Sequence, residues 1–294
     1  MSLFTRENQN PERPCILTCA LSGVVTTRQQ CPAIPYTPEE YAAEAKRAFE
    51  AGAAVVHIHA RSPDGAPSYE VADYRAIHQA VTAACPVIIN FSTGAVGIPA
   101  EKKIAPVREL KPALAALNMG SMNYAKYHPQ KKSFVFEFVF ANPFSEIQEL
   151  IRGMNEVQAK PEMECFDAGH VANSYPLIDM GLLKPPFQYS LILGVTGGIP
   201  PTVQSLAHLV SMVPDQGEWE VIGVSHPQWR LVAAAVALGG NARIGLEDNF
   251  YVEPDRMASS NGELVEKAAR MVRDQGRTVA TVEECRRRLA LVNR

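Results

Sequence analysis

The sequence has no C-x-x-C pair, no long apolar run and no excess of basic residues, and each absence removes a class of protein. Its six cysteines, Cys15, Cys19, Cys31, Cys85, Cys165 and Cys285, are scattered, which argues against a cysteine zinc site and a disulfide framework alike. They are expected as reduced thiols. No stretch approaches the roughly 20 apolar residues that a membrane-spanning helix needs, and the opening MSLFTRENQNPERP lacks the apolar segment of a secretory signal. A cytoplasmic location without a membrane partner is the expectation. A net charge of −3 leaves no basic footprint for nucleic acid or for an anionic lipid surface. A small-molecule partner remains.

What is present is enough apolar material for a real core, 47% of 294 residues. Short β-branched runs alternate with amphipathic stretches along the chain, the pattern of repeated β-α units around a parallel sheet. The runs are Cys15 to Leu21, Ala54 to His59, Val87 to Ser92, Leu114 to Asn118, Met163 to Asp167, Tyr189 to Leu193, Val221 to Val224 and Ala242 to Leu246. The stretch Pro38 to Ala51 between the first two is a predicted helix, with Thr37 as its N-cap, Pro38 at its first position and Gly52 just past its end. A (β/α)8 TIM barrel with a C-terminal helical extension follows, as a single domain over residues 1–294, since no linker or low-complexity tract divides the chain. The apolar stretch Ser133 to Phe140 and the basic segment EECRRRLALVNR are read as peripheral decorations. An open doubly wound sheet is the other architecture, but the turn after the first run reads LSGVVTTR and lacks the G-x-G-x-x-G of a dinucleotide site.

Chemistry is expected at the C-terminal ends of barrel strands. There the second run closes on His57 and His59, two residues apart and therefore on one face, where their imidazoles can share a metal. The eighth run, NARIGLEDN, ends in Glu247 and Asp248. Strands two and eight are both even-numbered, so their inward side chains can occupy one layer of the barrel. His57, His59 and Glu247 then form a three-ligand set with an open position, as in catalytic zinc sites. Other run ends, NFSTG, LNMGSMN, ECFDAGH and GVTGGIP, are polar and glycine-bearing and suggest a polar cup around that metal. His170 is ambiguous between that cup and a backbone hydrogen bond. Gly197 and Gly198 could offer backbone N–H groups to an anion.

The ordered set H-x-H-x-R, S-T-G, E-x-F-D-x-G-H, G-V-T-G-G and G-L-E-D-N resembles the β-keto acid cleavage enzymes, typified by 3-keto-5-aminohexanoate cleavage, from the first run to the eighth. The resemblance implies a zinc-dependent barrel that takes a β-keto acid and acetyl-CoA as its partners and yields acetoacetate and the CoA ester of the shortened substrate. It also implies a homo-oligomer, with a tetramer favoured. By motif, His57, His59 and Glu247 hold Zn2+, Asp248 is the general base and Arg243 tunes it. Ser92, helped by Thr93 and Gly94, holds a substrate carboxylate or the acetyl carbonyl, and Glu164 and Ser121 line the same site. On a regular strand Arg243 and Asp248 would point to opposite faces about 16 Å apart, so contact between them requires a break after Glu247. Lys126, Lys131 and Lys132 are read as a solvated charge run or, on the resemblance, as a meeting point for CoA phosphates. After the first run the founding member carries an acid for a cationic tail, and here the stretch Gly23 to Arg28 has none. An apolar tail packing on Val24 and Val25, or an anionic tail reaching Arg28, is therefore expected. Two rival readings are a metal-dependent amidohydrolase, whose H-x-H pair belongs on the first strand, and a barrel that binds metal without catalysis.

Overall fold

The computed structural model describes residues 6–292. Eight parallel strands close into a barrel: Leu17–Ala20, Val55–Ile58, Ile88–Phe91, Leu114–Asn118, Lys160–Cys165, Phe187–Leu193, Gly217–Gly223 and Asn241–Ile244. The first pairs with the eighth through Thr18 and Arg243, and with the second through Ala20 and His57. The fold is a (β/α)8 TIM barrel. The helix Pro38–Ala51 forms with the expected cap: the Thr37 side chain accepts from the Glu40 amide, Glu40 returns a bond to the Thr37 amide, and Gly52 closes the end at φ 118°. That helix also supports the site, because its Tyr41 hydroxyl donates to the His59 carbonyl at 2.6 Å.

Side chains alternate along every strand, and the two faces differ in kind. Leu17, Cys19, Val56, Ile58, Leu191 and Val221 face out and pack under the helices in the main apolar core. The lumen is largely polar. Its cross-strand bonds run from Asn90 to Glu162, Ser190 to Glu162 and to Glu220, Thr18 to Glu220, and Arg243 to Glu164. The fifth and seventh strands begin earlier than the apolar runs Met163 to Asp167 and Val221 to Val224, at Lys160 and Gly217, because Glu162 and Glu220 are strand residues whose side chains bond inside the lumen. The lower mouth is sealed by Ala280, Cys285, Leu289 and Leu291 of the C-terminal segment, packed on Ile16, Val55, Ile88 and Leu114. The extension is therefore part of the barrel's floor.

Ser133–Phe140 is likewise no peripheral decoration. It pairs antiparallel with Met122–His128 as a hairpin after the fourth barrel strand, and its Phe138 and Phe140 line the cavity at the upper mouth. Among the described residues no helix is long and apolar enough to cross a membrane.

Candidate active site

A cavity of about 420 Å³ opens at the C-terminal mouth, within the size range of small-molecule sites. His59, Ser92, Gly94, Glu164, Arg243, Glu247 and Asp248 reach its wall. His57 lies behind His59, fully buried, with ring centroids 5.1 Å apart. Glu247 faces both imidazoles: its Oε1 is 3.5 Å from His59 Nε2 and its Oε2 is 3.8 Å from His57 Nε2. One ligand atom from each of His57, His59 and Glu247 falls within a 4.8 Å span.

Several polar atoms of these residues have no partner among the described residues. Both ring nitrogens of His57 and Oε2 of Glu247 are buried with no hydrogen-bond partner, a costly state for polar atoms in a folded protein. A divalent cation bound between them would satisfy His57 Nε2 and Glu247 Oε2 together, and two imidazoles with one carboxylate are a donor set that zinc accepts. His57 also has Glu162 and Glu164 within the same 4.8 Å span, the kind of neighbour that orients a metal-binding imidazole. The residues fit the group.

The strand break that brings Arg243 to Asp248 falls earlier than expected, at Gly245 rather than after Glu247. The eighth strand ends at Ile244, and Gly245 takes φ 144° with its α-carbon so close to the first strand that a Cβ would lie 2.1 Å from the Ala20 carbonyl oxygen. Only glycine allows the chain to turn there. As a result Arg243 Nε donates to Asp248 Oδ2 at 3.0 Å and Nη2 to Oδ1 at 3.1 Å, a bidentate pair. Nη2 also donates to Glu247 Oε1 at 2.6 Å and Nη1 to Glu164 Oε1 at 3.2 Å. One guanidinium is shared among three carboxylates.

Burial pushes the Asp248 carboxyl up to about 6 against the pull of Arg243, with Glu247 adding to the rise. Burial pushes Glu164 to about 7, again opposed by Arg243. Glu247 is also driven up by burial, yet the Arg243 charge beside it holds it well below the usual carboxylate value. Burial, then the Arg243 charge, keeps His57 well below the usual imidazole value, so it stays neutral as a ligand must. Gly23, at φ 59°, leaves room for Glu247, whose Cγ would lie 2.7 Å from a Cβ there. The loop carrying Gly23 is clamped by buried Arg61, which donates to the carbonyls of Gly23, Gly65 and Thr26.

Not every expected residue joins the site. Arg28 is spent elsewhere: it pairs with Glu40, donates to the Ile34 carbonyl at 3.0 Å and lies over the Tyr36 ring, because the helix-capping carboxylate is its nearest anion. It does not line the cavity. The Thr93 hydroxyl is buried and donates to the Ala116 carbonyl at 2.6 Å, and Ser121 is exposed and caps the Asn142 amide at 2.8 Å. His170 takes the backbone alternative, its Nδ1 accepting from the Phe166 amide at 3.3 Å. Tyr124, Phe138, Phe140 and Tyr69 line the cavity and were missed. The aromatic alternation of FVFEFVF was the signal for Phe138 and Phe140.

Known proteins resemble this chain over nearly its whole length. A family model described as beta-keto acid cleavage enzyme matches residues 14–291. A 3-keto-5-aminohexanoate cleavage enzyme of Acetoanaerobium sticklandii is 36% identical over 94% of this chain and 98% of its own length. A 3,5-dioxohexanoate:acetyl-CoA acetone transferase of Paraburkholderia graminis is 32% identical over 95% of this chain and 96% of its own. Among solved structures, apo ObcA superposes with a TM-score of 0.71 at 21% identity, covering 88% of this chain and 66% of that one, which supports the barrel fold. The match spans His57, His59, Glu164, Arg243, Glu247 and Asp248, and this chain belongs to the β-keto acid cleavage enzyme family.

Proposed function

We propose that this enzyme exchanges carbon units between a β-keto acid with a neutral, apolar tail and acetyl-CoA at a bound Zn2+, giving acetoacetate and the CoA ester of the shortened acid. The chain is an acyl and carbon–carbon transferase, the class to which its named relatives belong. The observation that carries the finer reading is the pairing of unsatisfied His57 and Glu247 atoms with an Arg243-held carboxylate, Asp248, on one cavity wall.

His57, His59 and Glu247 would hold the metal, which would supply Lewis acidity to the substrate's keto oxygen. Asp248 takes the proton from the carbon between the keto and carboxylate groups. Arg243 fixes the Asp248 carboxylate through both oxygens, which sets the direction of proton transfer. Ser92 Oγ accepts from the Gly94 amide at 3.1 Å and keeps its own proton for a substrate oxygen. Glu164 holds the far side of the guanidinium.

The tail follows from which charges are already paired. Arg243 is the only Lys or Arg on the described cavity wall, and three carboxylates hold it. With Arg28 bound to Glu40, the anionic-tail alternative loses its partner. Val24, Val25, Ala95 and Val96 line the cavity and favour an apolar tail. Of the remaining parts of the reading, a homo-oligomer rests on the family resemblance and a cytoplasmic location on the absence of long apolar runs in the sequence.

The test is an assay of the zinc-loaded protein with acetyl-CoA and cationic, neutral and dicarboxylic β-keto acids. Acetoacetate should form only with both substrates present, and kcat/KM should be highest for a neutral apolar acid. Hydrolysis that needs no acetyl-CoA and forms no acetoacetate would favour the amidohydrolase reading, and metal binding without turnover the non-catalytic one. A cationic acid such as 3-keto-5-aminohexanoate ranking first would overturn the tail assignment.

A further inference from the structure

The hairpin at the cavity mouth has two unlike faces. Its register pairs Met122 with Phe140, Tyr124 with Phe138 and Lys126 with Phe136, so these six side chains share one face. The first rung is set in the barrel mouth against Phe166 and Ile192. The second lines the cavity. The third continues the same face outward, about 13 Å from Met122 to Lys126 at the rise of a strand. Tyr124 stacks on Phe138 with centroids 5.2 Å apart and planes 10° apart, and on Phe136 at 6.4 Å and 12°, which makes a flat aromatic wall. Phe138 keeps 37% of its surface exposed.

Charge is graded along the wall. Lys126 ends it, Lys131 and Lys132 form the turn beyond, and the hairpin's one acid, Glu137, pairs with Ala125 on the opposite face. This is a basic segment in a chain of net charge −3. Lys126 has no ion pair with any described residue, although exposed carboxylates are plentiful elsewhere. The Ala125 amide donates to the Thr196 carbonyl at 3.3 Å, which ties the hairpin to the loop after the sixth barrel strand.

We infer that this face is the arm that binds the CoA thioester outside the reaction centre, its aromatic wall carrying the pantetheine chain and Lys126 meeting the phosphates. The inference rests on the reading above that acetyl-CoA is the second substrate. A ligand that fills both the cavity and the lysine end is thin, uncharged along its middle and polyanionic at its far end. That is the chemistry of a CoA thioester. A second copy of the chain laid on the same face would cover Tyr124 and Phe138 and close the mouth of the cavity.

The experiment compares acetyl-CoA with S-acetylpantetheine, which lacks the nucleotide and its phosphates, in wild type, Lys126→Glu and Lys126→Arg. Charge reversal should lower the ratio of kcat/KM for acetyl-CoA to that for S-acetylpantetheine about tenfold, with the loss shrinking at high salt and Lys126→Arg restoring the ratio. Calorimetric binding of CoA to the zinc-loaded protein should weaken in the same order. An unchanged ratio, or equal loss with both thioesters, overturns the arm, and equal loss with a fall in molecular mass by light scattering identifies the face as a contact between copies instead. If wild type turns over no β-keto acid but binds CoA with this Lys126 dependence, the proposed reaction fails and the arm stands. If wild type does not bind CoA, both fail.

Discussion

Two groups of carboxylates share the barrel lumen, and they are neutralised in different ways. At the rim, Glu164, Glu247 and Asp248 surround Arg243, with His57 and His59 beside them. One layer lower, Glu162 and Glu220 have no cation bonded to them among the described residues and are joined by the Ser190 hydroxyl, at 2.6 Å and 2.9 Å, with Thr18 donating to Glu220 at 2.7 Å and Asn90 to Glu162. An arginine aims the upper acids and opposes the rise that burial imposes on them, holding Glu247 charged, which suits metal binding and a carboxylate poised for proton abstraction. Hydroxyls and an amide hold the lower acids without supplying a full charge, so a proton must remain there. The same residue type in the same lumen serves chemistry or packing according to the partner placed against it.

The comparison breaks most sharply at the rim. Asp248→Asn should lower kcat about 10²- to 10⁴-fold, the usual worth of a positioned base, while zinc content measured by atomic absorption stays stoichiometric. His57→Ala and His59→Ala should lose zinc and activity together and keep the circular dichroism of a folded barrel. If Asp248→Asn also loses its metal in proportion to its rate, Asp248 is a ligand and the division of roles between neighbouring acids fails.

The next effect is on stability. Arg243→Met leaves three buried carboxylates without their shared cation and should cost about 3–5 kcal/mol in denaturant unfolding, because an unpaired buried charge is far worse than a missing pair. Arg243→Lys keeps the charge but cannot grip both Asp248 oxygens. It should recover much of the stability and little of the turnover. A loss below about 1 kcal/mol in Arg243→Met would mean that the rim acids are solvated or protonated and need no cation.

The rim was far more legible in the sequence than the layer beneath it. His57 and His59 stand out because strand alternation is local: two residues apart means one face, whatever the rest of the chain does. Glu247 and Asp248 followed from their place at a strand end. The contact from Arg243 to Asp248 was not readable, since it depends on Gly245 folding against Ala20 in the neighbouring strand. Arg28 failed for a similar reason, its partner Glu40 being set by a helix cap 12 positions away. The lower acids were present as Glu162-Met163-Glu164 and Glu218-Trp219-Glu220, an alternation of acid and apolar residues. That is the pattern of a strand with a polar inner face, but the apolar runs Met163 to Asp167 and Val221 to Val224 leave Glu162, Glu218 and Glu220 outside, because a search for apolar runs passes over a strand whose inner face is polar.

The lower layer gives the smallest and most specific prediction. A serine hydroxyl has one proton, so Ser190 can donate to Glu162 or to Glu220 but not to both, and one carboxyl must donate back. Glu162 is the proton holder: burial raises it to about 8, and the nearby Glu220 charge adds to the rise. Glutamine at 162 reproduces the neutral acid, its amide N–H donating to Ser190 where Oε1 stood and its carbonyl accepting from Asn90 where Oε2 stood. The pH dependence separates the two side chains. In wild type the folded carboxyl keeps its proton where the unfolded one, near 4.5, has lost it, so stability is full below that value and falls as pH rises toward 8. Glu162→Gln has no proton to lose there. Melting temperatures of the metal-free proteins should be similar at pH 5 and diverge by roughly 2 °C or more in favour of the variant at pH 8, a difference on the order of 1 kcal/mol. A variant less stable than wild type at both pH values would show that Glu162 is charged in the folded barrel and that the lower layer, like the rim, is held by a cation.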